Sequence, residues 1–200
     1  MAIEPTFDPA KTAVLCMDMQ AAIIEIYTAG QPDGHQLVSR AAEVLQRCRE
    51  RGLTVIHVQV GFRPGLPEVN PRNALFGAIL NSPERQKLFE GDAGRVHPAL
   101  GPVEGDIVVT KHRISAFTGT DLEMILRAKE IETVVMFGIA TSGVVLSTLL
   151  DAVDADYRAM VLGDCCADRD AEVHRVLVEK FFPQRGTVVS AADWLKSLDR

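Results

Sequence analysis

The sequence predicts an α/β protein, a three-layer, doubly wound, six-stranded parallel sheet with helices on both faces. Three observations carry that expectation. Apolar runs of strand length alternate with helix-period patterns along the whole chain, the arrangement that builds a parallel sheet covered by helices. Three of those runs break directly into polar or reactive segments: Asp18 after 13–17, Lys111 after 107–110, and 139–144 after 134–138. In an open parallel sheet the carboxyl ends of the strands converge on a crevice where the strand order reverses, so such segments can meet although they are distant in sequence. Finally, 200 residues with 47% hydrophobic and 24% charged composition suffice to close one core without metals or disulfides.

The apolar runs place strands at about 12–17, 53–60, 106–110, 133–138, 158–163 and 186–190. Between the first two, Leu37, Val38, Ala41, Ala42, Val44, Leu45 and Cys48 recur at helical spacing, and Gly52 supplies the permissive backbone of a helix stop. Residues 61–105 break the regular spacing with Pro64, Pro67, Pro71, Pro83, Pro98 and Pro102. A connection of that length in a compact domain is expected to be a lid, a substrate-binding excursion or an oligomer contact, with short helices near 72–80 and 83–89. Thr120 with Glu123 three positions on reads as a capping box, and Ser190 with Asp193 as a weaker version. Residues 143–154 and 171–182 fill the remaining helical slots, and no internal repeat or linker divides the chain.

Composition excludes several classes of function. A net charge of −6 with no basic stripe argues against nucleic acid as a partner. No run approaches the ~18 apolar residues of a membrane span, and the amino terminus lacks a basic segment followed by an apolar stretch, so a soluble cytoplasmic protein is expected. Cys16, Cys48, Cys165 and Cys166 include no C-x-x-C pair and are expected to be reduced thiols. No glycine-rich turn of either nucleotide-binding type follows a strand. The five histidines show no metal-ligand spacing, so neither a metal nor any other cofactor is expected, and His57, within a strand, reads as a core histidine.

Asp18 is the candidate acid or base, since a carboxyl at the rim of a core is tuned by desolvation and nearby charge. Its bland alternative is a helix cap. Lys111 leaves a strand in the same way, and within a few ångströms of Asp18 it would form a polarised pair; its bland alternative is a solvated loop lysine.

Asp18-Met19-Gln20, Lys111-His112-Arg113-Ile114-Ser115-Ala116-Phe117 with Gly119-Thr120-Asp121-Leu122, and Gly138-Ile139-Ala140-Thr141 resemble, in order and spacing, the isochorismatase-like superfamily, often called cysteine hydrolases. The resemblance covers most of the chain. In the family's amidase branches, an aspartate and a lysine flank a cysteine six residues after the glycine matched by Gly138. Here that position is Val144, and an aliphatic side chain cannot form the thioester of amide hydrolysis. The metal-binding Asp-x-His of the nicotinamidases is also missing, with Val58-Gln59-Val60-Gly61-Phe62 in its place.

Isochorismatases are similar in lacking the cysteine: an aspartic acid protonates the enol carbon of a vinyl ether, and water attacks the oxocarbenium ion. For Asp18 to act so, burial has to outweigh the pull of Lys111. By resemblance the Ile139–Ala140 peptide is expected to be cis, and the Gly143 and Val144 N–H groups are expected to be able to stabilise an anion. Gln20, Arg113, Phe117, Ile139, Ala140, Ser142 and Gly143 are the candidate substrate-binding residues. The resemblance implies a hydrolase of a small-molecule substrate that works through Asp18 without a covalent cysteine, assembled as a homodimer or homotetramer. Two alternatives stay open: a catalytically inactive binding or regulatory protein, and a hydrolase with a displaced nucleophile at Ser142 or Cys16.

Overall fold

The first apolar run becomes β1 (Thr12–Met17), buried at every position. That is the signature of a strand covered on both faces. The computed structural model describes residues 8–29 and 34–199; the amino-terminal segment lies outside the described residues. After β1 come α1 (Ala21–Thr28), α2 (Gly34–Glu50) and β2 (Thr54–Val60). The 61–105 segment carries α3 (Ala74–Leu80) and α4 (Pro83–Lys87) before β3 (Ile107–Lys111). Then follow α5 (Leu122–Ala128), β4 (Thr133–Gly138), α6 (Leu146–Asp154), β5 (Arg158–Leu162), α7 (Ala171–Val176), β6 (Thr187–Val189) and α8 (Ala191–Leu198).

The six strands form one sheet in the order β3-β2-β1-β4-β5-β6, and every pairing is parallel. From β1 the chain winds outward through β2 to β3, then returns to β4 and winds the other way. Right-handed crossovers therefore send the two sets of helices to opposite faces, and the order reverses between β1 and β4. The edge strand β3 alternates buried and exposed residues, whereas the inner strands β1 and β4 are buried throughout. On one face α2 packs on β2 and against α8, burying Ala41, Val44, Leu45 and Cys48, with Trp194 Nε1 donating to Cys48 Sγ at 3.4 Å.

Several local expectations change. Helix α1 carries no start signal in the sequence, since Gln20 at its N-cap makes no side-chain capping bond. The Thr120–Glu123 capping box does not close. Thr120 Oγ1 accepts the Leu122 N–H at 3.2 Å, but Glu123 turns to Arg127 at 3.5 Å on the exposed face. The predicted helix over 143–154 begins instead with a wide turn, Thr141–Val145, in which Gly143 (φ −101°, ψ −105°) leaves helical geometry and α6 starts at Leu146.

Residues 61–105 contribute Val69, Phe76 and Ile79 to an apolar cluster with Val60 at the end of β2, and Phe62 and Phe89 pack on it. Their return path is fastened to the end of β1. Ala21 and Ala22 donate to the Arg95 and Ala93 carbonyls at 3.0 and 3.1 Å, and His97 donates to Met19 O at 2.9 Å. At the reversal point Gly138 has φ +148°, and a Cβ there would collide with the Met17 carbonyl, so this close approach of β4 to β1 requires glycine.

Candidate active site

β1 ends at Met17, and Asp18 turns out of it with a left-handed φ of 52° while its N–H donates to Val58 O at 2.7 Å. For an L-residue that conformation costs roughly 1–2 kcal/mol. It has a positional consequence. Lys111 is paired with Val60, and Val58, two residues before Val60, is paired with Met17, so Lys111 and Met17 share a face of the sheet. Strict alternation would send Asp18 to the other face, with Cys16; the left-handed turn ends that alternation and brings the carboxylate to Lys111.

Lys111 sits two strands away, a lateral distance of roughly 10 Å at ~4.8 Å per strand. Its long stem lies over the sheet end, and Nζ reaches Asp18 Oδ2 at 2.8 Å and the Arg113 carbonyl at 3.0 Å. Both groups are buried, Asp18 at 7% and Lys111 at 2% exposure. The other carboxylate oxygen, Asp18 Oδ1, is buried with no protein partner. Burial pushes the Asp18 pKa up, and the charge and hydrogen bond of Lys111 only partly oppose it, so the carboxyl lies above its ordinary value of 3.8.

The pair forms the floor of a cavity of about 310 Å³. Ile139, Ala140, Gly143 and Val144 complete the floor; the Ile139–Ala140 peptide is cis. Val60, Phe76, Ile79 and Phe89 make one wall, and Ile23, Ile26 and Tyr27 of α1 another. Arg85 from α4 and Arg169 from the loop after β5 border the opening, both exposed.

Of the sequence-derived candidates, the fold therefore brings Asp18, Lys111, Val144, Ile139, Ala140 and Gly143 around one cavity. Gln20, Arg113, Phe117 and Ser142 do not line it. The Gln20 amide is consumed by backbone: Nε2 donates to Val60 O (3.0 Å) and Gly94 O (2.6 Å), and Oε1 accepts from Val60 N (2.8 Å). It ties β2 and the 61–105 segment to the end of β1. Arg113 donates to the carbonyls of His112 (2.6 Å) and Glu68 (3.0 Å), and Phe117 packs against Tyr157. Ser142 is exposed, its N–H held by Asp168 Oδ2 at 2.7 Å. Gly143 N already donates to Ala140 O at 3.1 Å, so that group is not the free anion donor expected from sequence.

Sequence reasoning missed Tyr27, the aromatic wall, Arg85 and Arg169. A signal existed for Arg169 alone: Asp168-Arg169-Asp170 is a charged run in the loop after β5. No thiol lines the cavity. All four cysteines are buried, and burial pushes the thiols up, to about 11 at Cys48 and about 12 at Cys166, with Cys16 and Cys165 shifted in the same direction. Among the described residues no group of three metal-ligating side chains gathers, and no helix is long and apolar enough to cross a membrane.

A doubly wound parallel sheet with a buried carboxylate–ammonium pair beneath an apolar crevice at its reversal point defines an α/β protein with a candidate small-molecule site. The chain belongs to the isochorismatase family of hydrolases: the family model for the isochorismatase domain matches residues 12–193. It is 32% identical to the ureidoacrylate amidohydrolase RutB of Azorhizobium caulinodans over 94% of this chain and 90% of that one. It is 29% identical to the maleamate amidohydrolase of Pseudomonas putida over 80% and 74% of the two chains. The solved structure of an isochorismatase family protein from Burkholderia thailandensis superposes with a TM-score of 0.84 at 30% identity, covering 98% of this chain and 99% of the other.

Proposed function

We propose that the protein is a small-molecule hydrolase in which Asp18 acts first as general acid and then as general base, and in which no cysteine adduct forms. The observation that carries this reading is the unequal state of the two Asp18 oxygens. Oδ2 is held by Lys111 at 2.8 Å, while Oδ1 is buried without a partner. A proton on the carboxyl therefore belongs on Oδ1. Burial favours keeping it there, and Lys111 stabilises the carboxylate once the proton has left.

On a vinyl ether, the Oδ1 proton moves to the enol carbon, the double-bond pair forms the new C–H bond, and the ether oxygen shares the positive charge as an oxocarbenium ion. Water adds to the other carbon, the one that bears the ether oxygen, and its proton passes to the Asp18 carboxylate. The resulting hemiketal then breaks into a carbonyl compound and an alcohol. Val144, at the position of the cysteine in the family's amidase branches, supplies no nucleophile, and each native thiol is buried outside the cavity. This supports water as the attacking group.

The test is a screen of the purified protein against enol ethers, amides and esters, amides being included because two relatives are named as amidohydrolases. Enol-ether hydrolysis that disappears in Asp18→Asn and survives iodoacetamide is the expected result. No turnover of any class, with ligand binding unchanged in Asp18→Asn, would make the chain a binding protein on a hydrolase fold.

A further inference from the structure

Asp18 and Lys111 are each followed, two residues on, by a side chain that grips the same neighbouring segment. Gln20, fully buried, donates from Nε2 to the carbonyls of Val60 and Gly94 and accepts the Val60 N–H. One amide thus closes the neck of the 61–105 segment, where it leaves β2 and where it returns. Arg113 spends Nη2 on the Glu68 carbonyl at 3.0 Å and holds its guanidinium over the Phe76 ring, 5.9 Å from the centroid. Its own carbonyl is the second acceptor of Lys111 Nζ. Between Lys111 and Arg113, His112 Nδ1 donates to Gly61 O at 2.6 Å.

The gripped segment is the one that walls the cavity. It supplies Phe76, Ile79 and Phe89, and Phe62 packs edge-on against both rings, at centroid distances of 6.0 and 5.3 Å. These groups line the same cavity as Asp18, whose Oδ1 is buried without a partner. Such an oxygen stays dry only while its surroundings leave no polar, roomy space for water. A third side chain provides the contrast. Gln86 also donates to two carbonyls, Ile79 O at 3.2 Å and Leu80 O at 2.9 Å, yet both belong to its own segment. Gln86 tightens the wall internally, whereas Gln20 and Arg113 fix the wall relative to the pair.

We infer that Gln20 and Arg113 are positioning residues, which register the apolar wall against the Asp18–Lys111 pair and so exclude water from Asp18 Oδ1. The inference rests on the reading of Asp18 as the reacting acid, but its test needs no turnover, so a failed substrate screen and a failed positioning role are separate results.

The experiment is a carbon-13 titration of the aspartate carboxyl groups in the full chain, with the Asp18 resonance assigned by its absence in Asp18→Asn. The native Asp18 midpoint lies above 3.8. Arg113→Met and Gln20→Met each bring it down by on the order of one pH unit, because a carboxyl that regains water returns toward its ordinary value. Arg113→Lys, which keeps a donor for the Glu68 carbonyl, recovers most of the native midpoint. Gln86→Met lowers the urea midpoint without moving the Asp18 titration, which separates a merely structural role from a positioning one. Besides Lys111, the ionisable groups around the cavity are Tyr27, Arg85 and Arg169, and these variants leave all of them in place. On a substrate found by the screen, the high-pH limb of kcat/KM moves down with the titration. If the fully buried Gln20→Met does not fold, Arg113→Met decides alone. The inference is overturned if Asp18 keeps or raises its midpoint in either folded variant, or if Gln86→Met moves it as far.

Discussion

Two buried aspartates stand at opposite ends of the same sheet, each beside a cation, and they come out differently. Asp106, immediately before β3, accepts from Arg49 Nε at 3.2 Å, Arg49 Nη2 at 2.7 Å and Val103 N–H at 3.1 Å, with His57 Nε2 also at 3.1 Å. Burial pushes its carboxyl up, but the Arg49 hydrogen bond, the Val103 N–H, the Arg49 charge and His57 together hold it below the ordinary carboxylate value. Asp18 is buried more deeply and has one donor, Lys111, and its pKa lies above the ordinary value. Burial and a neighbouring cation are therefore common to a structural clasp and a candidate acid. What separates them is the depth of burial together with whether every oxygen is satisfied, because an unfinished set of hydrogen bonds leaves a place for a proton or a ligand.

The contrast predicts effects of different kind and size. Asp18→Asn should lower kcat by about 10²–10⁴-fold on whatever substrate the screen identifies, the usual worth of a positioned acid or base. A loss under tenfold in steady-state assays would remove Asp18 from the chemistry. Asp106→Asn should instead cost about 3 kcal/mol in urea unfolding, since it strands Arg49 and the fully buried His57, while kcat per folded molecule stays within about twofold. Equal effects of the two substitutions on activity would erase the distinction.

The pH dependence sharpens the same comparison. Because the proposed acid works protonated, kcat/KM should fall as pH rises through the raised Asp18 pKa, and Asp106→Asn should leave that limb unmoved. Stability carries opposite signs at the two sites. The folded pKa of Asp106 is depressed, so its contribution is present above the unfolded value and lost as pH falls through the folded one. The folded pKa of Asp18 is raised, so the native state takes up its proton first and gains as pH falls. Urea midpoints between neutral and acidic pH should thus fall less steeply in Asp106→Asn and more steeply in Asp18→Asn.

The smallest effect concerns the cavity floor beside Asp18. Val144→Cys should cost no more than about 1 kcal/mol, a change of about one methyl group. It should nevertheless gain a single iodoacetamide adduct by mass spectrometry that the native chain, with four buried thiols, does not. Absence of that adduct would mean that position 144 is closed to the cavity.

Much of the fold was legible because it is periodic. Strand runs at 12–17 and 133–138 occur at those limits, since a strand buried on both faces needs an unbroken apolar run, and the other four strands lie within about a residue of their expected limits. Ser190 likewise caps α8 through the Asp193 N–H at 3.1 Å. Helix α1 and the wide turn at 141–145 were not legible, because one has no capping signal and the other departs from helical geometry at a single glycine.

For the candidate site, sequence alone determined which residues lie at strand ends, because the alternation of apolar and polar stretches marks where the sheet stops. Asp18, Lys111 and Val144 were named on that basis, with the family resemblance. Tertiary structure decided which of those ends face one another and what each side chain does there. It committed Gln20 and Arg113 to backbone carbonyls, turned Asp18 toward Lys111 through one left-handed residue, and brought Arg85 and Arg169 to one opening. Hydrogen-bond saturation and side-chain direction depend on partners far away in the chain, and local periodicity holds no record of them.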